Sequence, residues 1–241
     1  MSYVAGRRPV KEALLGRRQV SHVYLARGAG PSESVNEIVR LAETQNIPTV
    51  MVMTDQLDQW AGGVVHQGVV ARIGEFRYSD MADLVRLVDG KEQALIVALD
   101  GVEDPQNFGA ITRTAVGAGV NGLIIRENRA VSVTPAVVKA SAGAIEYAVI
   151  VKSNISSAID RLKSEGFWII GTDGSAPAPI WDLDLKGRIV LVLGGEHQGL
   201  SRLVKSKCDF LAKLPMSRKI SSLNVSAAAA AIIYEAVKQR A

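Results

Sequence analysis

The stretch Ala94-Leu-Ile-Val-Ala-Leu99 places six apolar residues in succession and is followed by Asp100 and Gly101. A strand with one face in water alternates apolar and polar side chains, whereas a strand covered on both faces is apolar throughout. Ile189-Val-Leu-Val-Leu193 has the same continuous character. These stretches predict a parallel sheet covered by helices, with a ligand site at the carboxyl ends of its strands.

Strand and helix patterns alternate around these two stretches. Further strands are predicted over 122–125, 147–151, 167–171 and 209–214, and helices over 109–117, 135–142, 155–165, 200–206 and 224–239. A second α/β alternation precedes them, with strands over 22–26, 48–53 and 66–73 and helices over 10–15, 32–45 and 55–60. We therefore expect an α/β chain with a small domain over 1–75, a linker over 76–92 that carries a short helix (81–88), and a larger domain over 93–241.

The composition excludes several classes of protein. The 241 residues are 48% hydrophobic and 22% charged, which is typical of globular domains. One cysteine and three scattered histidines exclude a disulfide framework and give no sign of a metal site. No apolar run approaches the roughly 20 residues of a membrane span, so we expect a cytoplasmic protein without membrane association. Aromatic residues make up only 5% of the chain, which argues against a base-stacking platform of the RRM type.

The net charge of +4 conceals two basic clusters. The first comprises Arg7, Arg8, Lys11, Arg17, Arg18 and Arg27, and the second Arg202, Lys205, Lys207, Lys213, Arg218 and Lys219. Each cluster alone is equally compatible with a solvated helix face. Together they favour a polyanionic partner such as nucleic acid.

One glycine pattern is misleading. Gly117-Ala-Gly-Val-Asn-Gly122 fits the dinucleotide-binding pattern, but it ends a predicted helix and precedes a strand. The dinucleotide fingerprint needs the reverse order, strand before helix. We therefore interpret this segment as a helix end and a turn.

Three other segments place polar residues at the ends of predicted strands. In the first, Asn107 stands at a helix entry and Arg113 lies further along an otherwise apolar helix. Arg113 requires an anionic partner, either a ligand or an internal carboxylate of Asp100, Glu103 or Asp104.

The second and third segments follow later strands. Leu193-Gly-Gly-Glu-His-Gln-Gly-Leu200 holds three glycines, which allow a close backbone approach, and a single acid, Glu196. Leu214-Pro-Met-Ser-Arg-Lys-Ile-Ser-Ser-Leu-Asn-Val-Ser226 places Ser221, Ser222 and Asn224 directly before a helix. Capping of that helix explains one of these three polar residues.

Together the three segments resemble the signature motifs of the SpoU (TrmH-like) branch of the SPOUT RNA methyltransferases: N-x-x-x-x-x-R-T, G-G-E-x-x-G-L, and L-P-M followed by S-S-L-N-V-S. The resemblance covers about residues 94–241. The first block resembles the family's substrate-binding domain through Gly6-Arg-Arg-Pro-Val-Lys-Glu-Ala-Leu14 and His66-Gln-Gly-Val69.

The resemblance implies a deep trefoil knot, a homodimer whose active site is shared between subunits, and bound S-adenosylmethionine without a metal. The implied cofactor contacts are Thr172, Gly174, Leu193, Gly194, Gly195, Leu214, Met216 and Leu223. The implied catalytic residues are Asn107, Arg113, Glu196, Ser222 and Asn224. The family proposes Arg113 as the group that activates the ribose hydroxyl. Because a guanidinium is a poor base, we favour its binding a phosphate and lowering the hydroxyl's pKa electrostatically.

The implied activity is 2′-O-ribose methylation of a guanosine in large-subunit (23S) ribosomal RNA. We expect RNA contacts from Arg7, Arg8, Arg17 and Arg18 in the first block and from Arg218 and Lys219 beside the cofactor. The alternatives are a tRNA ribose methyltransferase, a resistance-type rRNA methylase, and a ribosome-associated RNA-binding protein without activity. The first block argues against the tRNA enzymes, which usually lack it.

Overall fold

The computed structural model describes residues 2–16, 18–28, 32–128, 131–195, 198–217, 220 and 222–241. Its strands are β1 (Ser2–Ala5), β2 (Val20–Ala26), β3 (Thr49–Val52), β4 (Val69–Ile73), β5 (Ala94–Asp100), β6 (Gly122–Arg126), β7 (Ile150–Ser153), β8 (Trp168–Thr172), β9 (Ala178–Pro179), β10 (Arg188–Gly194) and β11 (Phe210–Lys213). Its helices are α1 (Arg7–Leu15), α2 (Glu33–Thr44), α3 (Thr54–Ala61), α4 (Met81–Val88), α5 (Pro105–Gly117), α6 (Pro135–Ala140), α7 (Ile155–Ser164), α8 (Arg202–Lys207) and α9 (Val225–Arg240).

The chain forms two compact units. The first comprises Met1–Arg77 and Ser132–Tyr147, and the second comprises Tyr78–Val131 and Ala148–Ala241. The sequence patterns instead assign 132–147, with helix α6, to the larger domain. Within the first unit, Arg18 on one segment and Glu146 on the other form a buried ion pair at 2.9 Å. Hydrophobic periodicity carries no information about a pair so distant in sequence. The sequence prediction therefore placed residues 132–147 with their neighbours in the chain.

The second unit is built on a seven-stranded parallel sheet in the order β7-β6-β5-β10-β8-β11-β9. All seven residues of β5 are buried, and β10 is buried over Ile189–Leu193. The α/β fold class with a parallel sheet is therefore confirmed, for the reason that the apolar stretches indicate. The trefoil knot stays a prediction from the resemblance.

The segment 76–92 contributes to the core of the second unit. Helix α4 begins with a capping box between Asp80 and Asp83, and its Leu84 and Val88 are fully buried against the sheet. A charged stretch predicts a linker because most of its residues are polar. The two buried side chains of α4 show that this linker includes a packed element.

The first unit holds a mixed four-stranded sheet in the order β1-β4-β2-β3. Strand β1 runs antiparallel to β4 and has no counterpart in the sequence prediction. It is only four residues long and pairs with a strand more than sixty residues away. Local patterns do not detect such a strand, because tertiary pairing supplies its stability.

Two kinds of feature are absent from the described part of the chain. No helix in the described ranges combines the length and apolar character needed to cross a bilayer. Across those same ranges, no three His, Cys, Asp or Glu side chains come together as a set of metal ligands.

Candidate active site

A cavity in the second unit lies where β8, β10 and β11 end. Because these strands are parallel, their carboxyl ends meet at one edge of the sheet, as the fold class predicts. All eight residues that the resemblance assigns to the cofactor line this cavity: Thr172, Gly174, Leu193, Gly194, Gly195, Leu214, Met216 and Leu223. Ser222, from the predicted catalytic set, lines it too. Segments more than forty residues apart in sequence therefore form one wall.

Glycines 194 and 195 are required by the packing of the chain against itself. A Cβ on Gly194 would lie 2.2 Å from the carbonyl carbon of Gly199, and one on Gly195 would lie 2.3 Å from the carbonyl oxygen of Gly101. Gly195 also donates its N–H to the Asp100 carbonyl at 3.0 Å. The sequence predicts that these glycines let the backbone approach a ligand, and the structure adds that neighbouring backbone also leaves no room for a Cβ at either position.

Asn107 and Asn224 join the first and third motifs. Asn224 Nδ2 donates to Asn107 Oδ1 at 2.9 Å. Asn224 Oδ1 caps α9 by accepting from the N–H groups of Ser226 at 2.9 Å and Ala227 at 3.4 Å. Asn224 is therefore the one capping residue that the sequence anticipated, and it also orients Asn107.

Asn107 lies inside its helix rather than at the cap. Helix α5 begins at Pro105, four residues earlier than predicted, and Asp104 Oδ1 accepts from the Asn107 N–H at 2.8 Å. Proline suits the first turn because its missing N–H would have no partner there. The periodicity of the apolar residues further along the helix could not locate this start.

Arg113 lies exposed on α5, two turns beyond Asn107. The three internal carboxylates considered as its partners do not pair with it. Asp100 is engaged by Arg126, Asp104 caps α5, and no ion pair or hydrogen bond of Arg113 is found within the described ranges. The internal ion-pair interpretation is therefore wrong, and Arg113 is an exposed residue.

Asp100 is a structural residue of the site that sequence reasoning missed in this role. Its carboxylate, on a residue only 2% exposed, accepts from the Arg126 guanidinium at 2.7 and 2.8 Å and from the Ser201 N–H at 2.7 Å. These bonds fasten β5 to the end of β6 and to the start of α8. The sequence does contain a sign of this role, because Asp100 directly follows the wholly apolar Ala94–Leu99. A carboxylate at the end of a buried strand is itself buried, and a buried charge requires partners.

Asp173, which lines the cavity, forms an ion pair with Lys205. Asp173 and Lys205 are 2.6 Å apart, and Asp173 also accepts from Ser175. The hydrogen bond from Lys205, aided by Ser175, lowers the pKa of Asp173 to about 2. This wall of the cavity is therefore anionic at neutral pH, with its charge matched by Lys205.

Several predicted residues lie outside the described part of the chain. These are Glu196 of the catalytic set, Ser221 of the third motif, and Arg17, Arg218 and Lys219 of the RNA-binding set. Their predicted roles stay predictions.

The described arginines at the amino terminus differ in their surroundings. Arg8 is exposed. The Arg7 guanidinium donates to the Gln67 carbonyl at 3.2 Å and to Ser32 Oγ at 2.9 Å. The Arg18 side chain is 6% exposed, paired with Glu146 and placed 5.2 Å from the Phe76 ring centroid. Arg18 is thus a structural residue, which corrects its assignment to RNA contact. The exposed side chain of Arg8 is accessible to an RNA phosphate, so its assignment to RNA contact stays a prediction.

The two N-terminal motif segments contact each other. The Gly6 N–H donates to the Val69 carbonyl at 3.0 Å, and the Arg7 N–H donates to Gln67 Oε1 at 3.2 Å. Gly6 has φ of +104°, a conformation that favours glycine. His66 Nδ1 accepts from the Gly68 N–H at 2.9 Å and holds the turn. Gly6 and His66 are therefore explained by the local fold, because the glycine adopts a positive φ and the histidine accepts a backbone hydrogen bond.

Comparison with known proteins agrees with this geometry. The model of the SpoU rRNA methylase family matches residues 94–234, and a model described as RNA 2′-O ribose methyltransferase substrate binding matches residues 3–79. YacO of Bacillus subtilis, assigned to the TrmH family of tRNA/rRNA methyltransferases, is 39% identical over 240 residues, covering 99% of this chain and 96% of YacO. A Staphylococcus aureus protein with the same family assignment is 38% identical over 239 residues, covering 98% of this chain and 96% of that protein.

A solved structure shares the fold over nearly the whole chain. The SpoU methyltransferase AviRb from Streptomyces viridochromogenes, crystallised with the cofactor AdoMet, superposes with a TM-score of 0.81 at 26% identity. The match covers 99% of this chain and 89% of AviRb. The two family models, the relatives and the cavity lined by the second and third motifs lead to a single conclusion: this chain belongs to the SpoU rRNA methylase family and is an RNA methyltransferase.

Proposed function

We propose that the chain transfers a methyl group from S-adenosylmethionine to the ribose 2′-hydroxyl of a guanosine in 23S ribosomal RNA, in the cytoplasm. The observation that supports this most strongly is the cavity at the ends of β8, β10 and β11. It gathers all eight residues implied for the cofactor. Gly195 and Gly199 line both this cavity and a neighbouring polar cavity that includes Asn107. A nucleotide in the second cavity would lie next to a cofactor in the first.

The cavity suits the cofactor chemically. Leu193, Leu214 and Leu223 offer apolar contact for an adenine ring, while the exposed backbone of the glycines offers donors and acceptors. A Cβ built on Gly174 meets nothing within 4 Å, so there is open space beside this wall. Bound S-adenosylmethionine supplies an activated methyl on a sulfonium, which is a good leaving group. The protein must then orient the hydroxyl and manage its proton.

Arg113 makes the hydroxyl more acidic by binding a phosphate beside the target ribose, and the released proton passes to solvent water as the methyl leaves the sulfonium. A guanidinium keeps its positive charge at neutral pH, so it stabilises the developing alkoxide as a fixed cation. Arg113→Lys tests this role in single-turnover methylation. Retention of most of the turnover would show that a positive charge at this position suffices without the guanidinium fork. Loss as complete as in Arg113→Ala would show that the planar guanidinium is required.

The exposure of Arg113 supports a homodimer with a shared site, in which Arg113 acts on the partner's cofactor cavity. Mixing two inactive variants tests this arrangement. Arg113→Ala and Asn224→Asp subunits, if they exchange, form heterodimers with one doubly altered site and one intact site. Activity should therefore return on mixing. No recovery, despite demonstrated subunit exchange, would overturn the shared site.

Ribosomal RNA is favoured over tRNA by the N-terminal unit, whose segment 3–79 matches a substrate-binding domain. The assignments of the relatives include both tRNA and rRNA. Incubation of the protein and labelled S-adenosylmethionine with 23S rRNA and with total tRNA, followed by mapping of the 2′-O-methyl group, decides between them. Methyl on a 23S guanosine supports the proposal. A methyl group found on tRNA instead would overturn the proposed substrate, although the proposed reaction, 2′-O-methylation of RNA, would stand.

A further inference from the structure

One face of the four-stranded sheet in the first unit concentrates aromatic side chains. Paired residues of neighbouring strands project to the same face. Tyr3 of β1 and His22 of β2 both pair with Arg72 of β4, and Tyr24 of β2 pairs with Val70 of β4. The register therefore places Tyr3, His22, Tyr24 and Arg72 on one side of the sheet.

Helix α3 covers only part of this face. Under the helix, Ala5, Ala26 and Val70 are at most 7% exposed and pack with Leu57 and Ala61. The remaining part is half open. Tyr3, His22, Tyr24 and Arg72 are all partly exposed, and so is Trp60, which α3 contributes at the border.

The rings on the open part are arranged in stacks. The Tyr3 and Trp60 rings are nearly parallel, 5° apart with centroids at 5.3 Å, and the Tyr24 ring lies 4.5 Å from Trp60. His22 is nearly parallel to Tyr24, 8° apart at 5.8 Å. Four rings from two strands and a helix therefore contact one another in a row.

We infer that this open sheet face, defined by Tyr3, His22, Tyr24, Trp60 and Arg72, is a stacking platform for unpaired bases of the RNA substrate. Unpaired bases stack on aromatic rings without regard to sequence, and Arg72 places a positive charge among the rings for the phosphate backbone. That charge at the centre of the face favours a nucleic acid over an apolar peptide. The inference rests on the proposed function only in naming RNA as the substrate. It revises the expectation drawn from a 5% aromatic content, because the sheet concentrates the few rings available.

The fluorescence of Trp60 gives a direct test. The chain has three tryptophans, and Trp168 and Trp181 are 58% and 50% exposed, so Trp168→Phe/Trp181→Phe leaves Trp60 as the only emitter without disturbing a core. A mixed-sequence, unstructured 12-nucleotide RNA should quench this emission on binding. The same RNA paired with its complement should bind the platform at least fivefold more weakly. An unquenched Trp60, or equal affinity for the duplex, would overturn the platform.

Leucine substitutions separate stacking from folding. Tyr3→Leu and Tyr24→Leu keep apolar bulk on the face but remove the ring, and each should weaken single-strand affinity about fivefold or more. Phe210→Leu is the matched control, since Phe210 is a 46% exposed aromatic of the second unit. It should bind RNA as the parent does.

The outcomes also separate this inference from the proposed activity. Thermal unfolding of each variant, followed by circular dichroism, reports whether the first unit stays folded. Wild-type RNA affinity in both leucine variants would overturn the platform, whatever the methylation assay shows. Ring-dependent binding in a protein that methylates no RNA would keep the platform and overturn the proposed activity.

Discussion

Asn224 Nδ2 donates a 2.9 Å hydrogen bond to Asn107 Oδ1 across 117 residues of sequence, and this bond ties the start of α9 to the first turn of α5. The same Asn224 side chain caps α9 through its oxygen. One amide thus has two separable tasks, because its donor orients Asn107 and its acceptor stabilises a helix. Asn224 is therefore a positioning residue in the proposed reaction.

Two substitutions at Asn224 should divide these tasks. Asn224→Asp keeps an oxygen for the cap but loses the N–H donor, so stability should be retained while methyl transfer falls. Asn224→Ala removes both and should also lower the free energy of unfolding by about 1 kcal/mol. Urea denaturation and single-turnover kinetics measure the two effects. Wild-type kinetics in Asn224→Asp would show that the bond to Asn107 does not matter for catalysis.

Two glycine-to-alanine substitutions should distinguish a glycine that the fold needs from a glycine that only cofactor binding needs. Gly195→Ala forces a Cβ to within 2.3 Å of the Gly101 carbonyl oxygen, and we expect a lower thermal midpoint together with lost cofactor binding. Gly174→Ala places its methyl where nothing lies within 4 Å. It should keep the thermal midpoint and weaken only S-adenosylmethionine binding, as measured by calorimetry. An unchanged midpoint in Gly195→Ala would contradict the close backbone approach.

The Asp173–Lys205 pair should contribute a stability that disappears in acid. The pKa of Asp173 is about 2 in the folded chain and 3.8 without these contacts. Because the folded value is the lower one, the contribution is complete above pH about 4 and is lost as pH falls through about 2. The pair is partly exposed, so Asp173→Asn should cost about 1 kcal/mol or less at pH 7. Urea unfolding of wild type and Asp173→Asn from pH 7 to pH 2.5 tests whether the difference in their free energies of unfolding becomes smaller below pH about 4.

Arg8 and Arg18 should behave oppositely although both belong to the N-terminal basic cluster. Arg18→Met leaves the Glu146 carboxyl buried without its partner and should cost about 3–5 kcal/mol of stability. Arg18→Met/Glu146→Leu should recover most of that loss, because no buried charge remains. Arg8→Ala should leave unfolding unchanged and weaken RNA binding in filter assays. Destabilisation by Arg8→Ala, or none by Arg18→Met, would contradict these assignments.

The pH dependence of Arg18→Met provides a second check on the buried pair. Burial raises the pKa of Glu146, even against the opposing effect of Arg18. A raised folded pKa favours the protonated carboxyl, so the related stability is greatest below the unfolded value of 4.5 and is lost as pH rises. The deficit of Arg18→Met relative to wild type should therefore be smaller at pH 4.5 than at pH 7.5. Thermal unfolding at these two pH values measures it.

The sequence by itself determined the fold class and the edge of the sheet at which a ligand would bind, while the resemblance to the SpoU methyltransferases implied which residues line the cofactor cavity. The wholly apolar Ala94–Leu99 could be buried only as an inner strand of a parallel sheet, and strands of such a sheet end at one edge. Residues at the carboxyl ends of those strands, such as Thr172 and Leu193, must therefore converge there. This reasoning depends only on local composition and on the geometry that parallel sheets share.

The tertiary structure alone decided which polar and aromatic side chains meet. Whether Arg18 faces RNA or Glu146, whether Asp100 pairs with Arg113 or Arg126, and whether few aromatic residues are scattered or gathered all depend on long-range register. Strand β1 brings Tyr3 beside Arg72, and residues 132–147 bring Glu146 to Arg18. Such contacts join segments tens of residues apart. Their free energy comes from the pairing itself, so no local pattern in either segment encodes them.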